Sequence, residues 1–241
     1  MKNIALLIPV CSRNKQYNIL YDTPIMKCIY PSFLNTKNEE YNYSFFIGFD
    51  DDDEFYKSQY DELKKKFKNV HILSECQHAP AFAWNKLAMI AYNSIDVKYD
   101  YFFQVGDDII LETPNCSKIF IEKLTLHNDI GVVGPCNLSN YNGRILEGKP
   151  YVIENSFVSR KHIDIFNYFF HPTIKNWYCD DWITEIYKPF FSEIQTNILC
   201  VNSIWNRYII HGCDNISILI NESQEIIFLY MKNTLLRSIR K

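Results

Sequence analysis

Glycine is scarce in this chain, seven among 241 residues. That shortage excludes collagen-like repeats, Gly-rich linkers and glycine-loop architectures. There is no surplus of positive charge either: 25 Lys and Arg stand against 28 Asp and Glu, for a formal net charge of −3. Without a basic footprint the chain is not read as a nucleic-acid binder. No C-x-x-C pair occurs among the eight cysteines (11, 28, 76, 116, 136, 179, 200 and 213), which removes zinc-ribbon and thioredoxin-type readings. A chain of this length builds a core without staples, so the thiols are expected reduced. No run approaches the ~18 apolar residues of a membrane span, and no transmembrane segment is expected. Met1-Lys2-Asn3 and the run Ile4–Val10 imitate a short signal peptide. Pro9 interrupts that run, Arg13 and Lys15 follow at once, and no small-residue cleavage site appears. The reading is a cytoplasmic chain with a buried first strand.

What the sequence does contain is 47% hydrophobic and 16% aromatic residues, ample for a sizeable core. Ile4–Val10 is a continuous apolar run, as in a strand buried on both faces. Further strands are predicted over Tyr43–Phe49, Val70–Leu73, Asp100–Val105, Ile130–Val133 and Tyr151–Val158. Helices are predicted up to about Asn35, over Phe55–Phe67, from Pro80 to about Ser94, and over Lys161–Tyr168, Asp181–Tyr187 and Ile226–Arg240. The first half alternates strand and helix, which predicts an α/β fold with a mostly parallel sheet covered on both faces. No repeat or low-complexity linker divides the chain, so one domain over 1–241 is expected.

Ligands of open parallel sheets gather at the carboxyl ends of the strands. Two such ends carry acid: Asp50 to Asp53 after the second strand and Asp107-Asp108 after the fourth. The second is the sharper signal, because apolar runs flank it on both sides and force a tight turn. Adjacent carboxylates repel unless a cation is present, and hard oxygen ligands favour Mg²⁺ or Mn²⁺ bridging to phosphate.

In these features the chain resembles a glycosyltransferase of the GT-A fold, family 2-like. Ile4 to Ser12 resembles the first strand, whose end contacts the nucleotide, and Phe49-Asp50-Asp51 the carboxylates that hold uracil or ribose. Ala83-Trp84-Asn85-Lys86-Leu87-Ala88 resembles the Ala-Arg-Asn-x-Gly segment, with Trp84 at the arginine position and Lys86 a possible substitute. Gly106-Asp107-Asp108 resembles a variant Asp-x-Asp motif, which implies Asp107 on ribose or sugar and Asp108 on the cation. Tyr178-Cys-Asp-Asp-Trp-Ile183 resembles the segment supplying the base of inverting members, Asp180 or Asp181, with Asp181 preferred at a helix start. His211 is similar in placement to the histidine that completes the metal site.

The resemblance thus implies transfer of a sugar from a nucleotide-sugar donor, a UDP-sugar favoured and GDP- or dTDP-sugar possible, to a glycan or other hydroxyl acceptor. Residues 1–110 would bind the donor and 111–241 the acceptor. Ser12, Arg13, Asn85, Lys86 and Arg160 join the donor-side candidates, the two arginines because guanidinium pairs with phosphate oxygens. The aromatic stretch Phe166–Trp177 offers rings for stacking on an acceptor sugar or for the core. Two alternatives stand beside this reading, a sugar-phosphate nucleotidyltransferase and a non-catalytic nucleotide- or carbohydrate-binding module. Against the first, the loop Cys11–Gln16 lacks the glycines of its phosphate loop.

Overall fold

The computed structural model describes residues 1–12, 15–139, 145–146, 149–203 and 212–239. Its strands are β1 (Asn3–Pro9), β2 (Asn42–Asp50), β3 (Asn69–Leu73), β4 (Tyr101–Gln104), β5 (Ile109–Leu111), β6 (Val132–Asn137), β7 (Ile145–Leu146), β8 (Lys149–Pro150), β9 (Phe157–Ser159) and β10 (Ser192–Asn202). Its helices are α1 (Pro24–Lys27), α2 (Ile29–Thr36), α3 (Glu54–Ser58), α4 (Tyr60–Lys66), α5 (Pro80–Tyr92), α6 (Cys116–Leu126), α7 (Arg160–Phe166), α8 (Cys179–Tyr187) and α9 (Ile216–Ile239).

Eight strands form one sheet in the order β3-β2-β1-β4-β9-β6-β10-β5, and β7 pairs with β8 apart from it. β1 runs parallel to β2 and β4, β2 to β3, and β6 to β10; β9 and β5 are antiparallel to their neighbours. This is the mixed, mostly parallel α/β sheet expected, and the strand order reverses between β1 and β4. The crevice over such a reversal is where a doubly wound sheet binds ligands.

The apolar run of β1 explains the layering. Successive side chains of a strand point to opposite faces. Ile4, Leu6 and Ile8 join a core with Ile29 and Phe33 of α2, Leu63 of α4 and Phe120 and Leu124 of α6. Ala5 and Leu7 join the opposite core with Leu87, Ala88 and Ala91 of α5, Ile163 of α7, Trp182 and Ile183 of α8 and Ile227 of α9. A continuous apolar strand is thus what two helical layers require. All eight cysteines are free thiols.

Several predicted boundaries shift. The helix over Phe55–Phe67 is two helices, because Gln59 leaves helical geometry and its N–H turns to the carbonyls of Phe55 and Tyr56. Of the predicted strand Tyr151–Val158 only Phe157 and Val158 pair, in a strand that runs on to Ser159; at Ile153 the N–H donates to the Thr184 hydroxyl instead of a ladder (3.0 Å). The terminal helix begins at Ile216, where the Asn215 carbonyl accepts from the N–H groups of Ile218 and Leu219.

Candidate functional site

Because the parallel strands all end on one edge, their termini converge. Pro9 and Val10 after β1, Asp50 at the end of β2, Gln104 at the end of β4, the turn Gly106-Asp107-Asp108 and Asn202 at the end of β10 line one cavity of about 300 Å³. Cys76, His78 and Pro80, Ala83 and Trp84 of α5 close one side; Glu154, Asn155, Asn176, Trp177 and Asp180 close the other. Five carboxylates therefore face one space: Asp50, Asp107, Asp108, Glu154 and Asp180. Among the described residues, Lys15 and His78 are the basic side chains that line it.

Backbone geometry explains how the carboxylates come together. Gly106 permits a close approach: a Cβ there would lie 2.8 Å from Oδ1 of Asp108, whose carboxylate would have to turn aside. The absence of a side chain at Gly106 thus leaves room for the Asp108 carboxylate. The Asp108 carbonyl accepts from the Ser203 N–H (2.9 Å), which fastens the turn to the end of β10. On the other wall, a Cβ on Gly134 of β6 would sit 2.5 Å from the Asn155 carbonyl oxygen. Its absence lets the Ile153–Asn155 segment lie against the strand and bring Glu154 to the cavity. Glu154 accepts a hydrogen bond from Nδ2 of Asn137, which also donates to Oδ1 of Asn202 (3.0 Å).

Asp180 sits in the first turn of α8. The Thr184 hydroxyl donates to the Asp180 carbonyl (2.7 Å) while accepting from the Ile153 N–H, so it links the helix start to the Glu154 segment. Tyr178, at the N-cap of α8, has φ 73°. A left-handed conformation costs a non-glycine residue about 1–2 kcal/mol, and here it lies beside Trp177 and Asp180 in the cavity wall. The electrostatics follow from crowding: burial, and then the Asp108 carboxylate, push Asp107 up to about 8, with Lys15 acting in the opposite direction.

The residues expected from sequence divide sharply. Asp50, Asp107, Asp108 and Asp180 line the cavity. Asp181, the preferred base, is not among the lining residues; one residue along a helix turns a side chain by about 100°. Ser12 is held by Asp53, its N–H and hydroxyl donating to the carboxylate at 2.7 and 2.6 Å. Asp51 is exposed and accepts from Nε2 of Gln77 (2.8 Å). Asn85 faces the chain opposite, accepting from the N–H groups of Phe169 and Phe170 (2.9 and 2.6 Å) and donating to the Phe170 carbonyl (2.8 Å). Lys86 donates to the carbonyl and hydroxyl of Ser74.

Arg160 is at the wrong end of the sheet. Its N–H bonds the Asp100 carbonyl, just before β4 starts, and its guanidinium donates to the carbonyls of Tyr99 and Tyr92 while lying 3.8 Å from the Tyr92 ring centre. Arg13 and His211 lie outside the described residues. In the aromatic stretch, Phe166, Phe169 and Phe170 are buried in the core and Trp177 lines the cavity. Trp84 does not replace an arginine chemically: its indole N–H donates to the Leu7 carbonyl (3.2 Å).

Sequence reading missed Glu154, Asn155, Asn176 and Asn202. An isolated acid or amide outside a motif carries no local signal, and only packing brings these four together.

Among the described residues, no group of three or more His, Cys, Asp or Glu side chains is placed to hold a metal ion. The turn nevertheless offers adjacent hard carboxylate oxygens, with the Asp107 carboxyl pushed up by burial and then by the Asp108 charge. That donor set fits Mg²⁺ or Mn²⁺, which take one or two protein carboxylates and fill the remaining positions with water or phosphate.

No protein-family model matches the chain, and no curated protein matches it. Solved structures do. Staphylococcus aureus TarS superposes with a TM-score of 0.53 at 12% identity, covering 85% of this chain and 37% of that one. Residues 1–349 of S. aureus TarS in complex with UDP-GlcNAc superpose with a TM-score of 0.55 at 11% identity, covering 87% and 62%. The chain thus spans about 37–62% of the lengths of these two structures. At such identities the likeness is one of fold: the chain shares the mixed, mostly parallel α/β fold of these TarS structures.

Proposed function

We propose that this chain is a metal-dependent glycosyltransferase that moves a sugar from a nucleotide-sugar donor to a hydroxyl acceptor with inversion. The observation that carries the reading is the convergence of Asp107-Asp108 with Asp50 and Asp180 in one cavity, at the carboxyl edge over the β1/β4 reversal. The fold shared with TarS, solved with UDP-GlcNAc, supports a nucleotide sugar and favours a UDP-sugar.

Asp108, with Asp107 beside it, would hold Mn²⁺ or Mg²⁺. A divalent ion there supplies positive charge opposite the leaving diphosphate. Lys15 supplies a second positive charge from the β1 side, and Trp84 shapes that wall without offering a charge. Asp50 at the end of β2, which lines the same cavity, would accept from a ribose or base.

Across the cavity Asp180 is the general base, taking the acceptor hydroxyl's proton as the glycosidic carbon is attacked from the face opposite the leaving group. Trp177, the neighbouring ring, gives the acceptor sugar a surface to stack on. Thr184 and Asn85 act indirectly, by fixing the chain that carries these groups.

The test is a thermal-shift panel of UDP-, GDP- and dTDP-sugars, each with and without Mn²⁺. A ligand at 100 times its Kd stabilises by about 2.7 kcal/mol. One nucleotide sugar is expected to raise the Tm only with Mn²⁺ present, and to release free nucleotide when an acceptor is added. Nucleotide release from no sugar donor, or stabilisation independent of metal, overturns the reading.

A further inference from the structure

Helix α9 divides into two unlike halves. The first is anchored: Ser223 and Ile227 are buried, the Trp182 indole donates to the Ser223 hydroxyl (3.2 Å), and Gln224 Nε2 donates to the Glu185 carbonyl (2.9 Å). The second runs clear of the body. From Met231 to Arg237 every residue is exposed, and with Phe228 (60%) and Leu229 (54%), Leu235 (63%) and Leu236 give solvent a large apolar surface. Such a surface on a folded protein marks an interaction site.

Three occupants are conceivable, and the residues choose among them. A coiled-coil partner requires apolar seams sustained over at least three heptads. Phe228 and Leu235 form one stripe and Leu229 and Leu236 another, but traced back along the helix the first meets Asn221 and Gln224 and the second Glu222 and Glu225. A membrane span would have to bury Glu222, Glu225, Lys232 and Arg237 in hydrocarbon, and no helix among the described residues is long and apolar enough to cross a membrane. Charge decides for the third. Residues 226–241 carry Lys232, Arg237, Arg240 and Lys241 and no acid at all. A second copy would bring the same four positive charges, whereas an anionic lipid surface brings the opposite sign together with acyl chains for the leucines. Lys232 falls between the two stripes, and its long stem lets the ammonium reach headgroups while its neighbours insert.

We infer that the C-terminal half of α9 is a docking surface for an anionic lipid bilayer, on which the helix lies without crossing. This inference stands independently of the proposed chemistry, since none of these side chains lines the cavity.

The full chain is tested by co-sedimentation with phosphatidylcholine vesicles and with vesicles of three parts phosphatidylcholine to one part phosphatidylglycerol. The wild type is expected on the anionic vesicles at least tenfold over the neutral ones, with binding falling as salt rises. Each base near the surface contributes a factor of about five, so Lys232→Ala with Arg237→Ala is expected to lower binding on the order of 25-fold. Leu235→Glu with Leu236→Glu is expected to abolish it. Because these positions are exposed, unchanged Tm values confirm that the variants fold. Absence from both vesicle types, equal partition onto both, or a stable dimer in sedimentation that the Leu235/Leu236 variant dissolves would overturn the inference.

Discussion

Two strand ends on the same edge of the same sheet carry runs of aspartate, and the fold uses them in opposite ways. After β2 most of the acid is occupied with structure: Asp53 is buried, accepts from the Tyr56 N–H at the start of α3 and holds Ser12, while Asp51 accepts from Gln77. Asp50 alone of that run lines the cavity. After β4 two carboxylates both face the cavity, and burial, then the neighbouring charge, push Asp107 up to about 8. The lesson is that an acidic run at a strand end carries no meaning by itself. What distinguishes the two runs is where the side chains go: Asp53 is tied to Ser12 and α3, whereas Asp107 and Asp108 share the cavity, where the proposed function would have them hold a cation.

Substitutions can break that contrast. The largest effect is expected from Asp108→Ala, which should eliminate Mn²⁺-dependent sugar transfer and Mn²⁺-dependent stabilisation by donor, while the ligand-free protein still unfolds in one cooperative thermal transition. Next, Asp180→Asn should slow the chemical step by about 10²–10⁴-fold in single-turnover assays while donor binding, followed by calorimetry, stays intact. The same change at Asp181 should leave the rate within a few-fold, and the reverse result would make Asp181 the base.

A buried histidine provides a control outside the cavity. His162 is enclosed between the Tyr187 hydroxyl and the Phe169 carbonyl, and burial pushes its pKa down to about 4. Because the folded value lies below the unfolded one, near 6.5, the neutral ring's contribution is complete above pH 6.5 and drains away as pH falls toward 4. The loss, roughly 3 kcal/mol at about 1.4 kcal/mol per pKa unit, should appear in denaturant titrations between those pH values and shrink in His162→Gln. Smaller still, Asp53→Ala should cost about 1–2 kcal/mol of stability for the lost cap while sparing activity per folded molecule, and Asp51→Asn should change stability by no more than about 0.5 kcal/mol.

Much of the sheet was legible from sequence. β1, β4 and the second half of β2 are apolar runs buried on both faces, so length and composition identify them, and the Gly-Asp-Asp turn stands out directly after β4. β10 was not legible: Ser192–Asn202 mixes polar and apolar residues, and its register against β6 shifts between Gln195 and Leu199, so no clean alternation survives. β5 is three residues long, below what any periodicity can signal. In the site, Asp50, Asp107, Asp108 and Asp180 were legible because a motif or a strand end marks them. Arg160 was misread because side-chain chemistry says nothing about which end of a strand a residue occupies, and Ser12, Asn85 and Lys86 because their partners come from distant segments. Choosing between Asp180 and Asp181 needed helix phase, which a shift of one residue at the boundary erases.

Thr184 has a wider consequence. A single hydroxyl bridges two stretches of chain that reach the cavity separately, one bearing Glu154 and the other Asp180. A change that tilts α8 would therefore also move the Glu154 segment on the same side of the cavity. If the proposed function holds, the two carboxylates would respond together to any change at Thr184, and Thr184→Val would be the substitution that uncouples them.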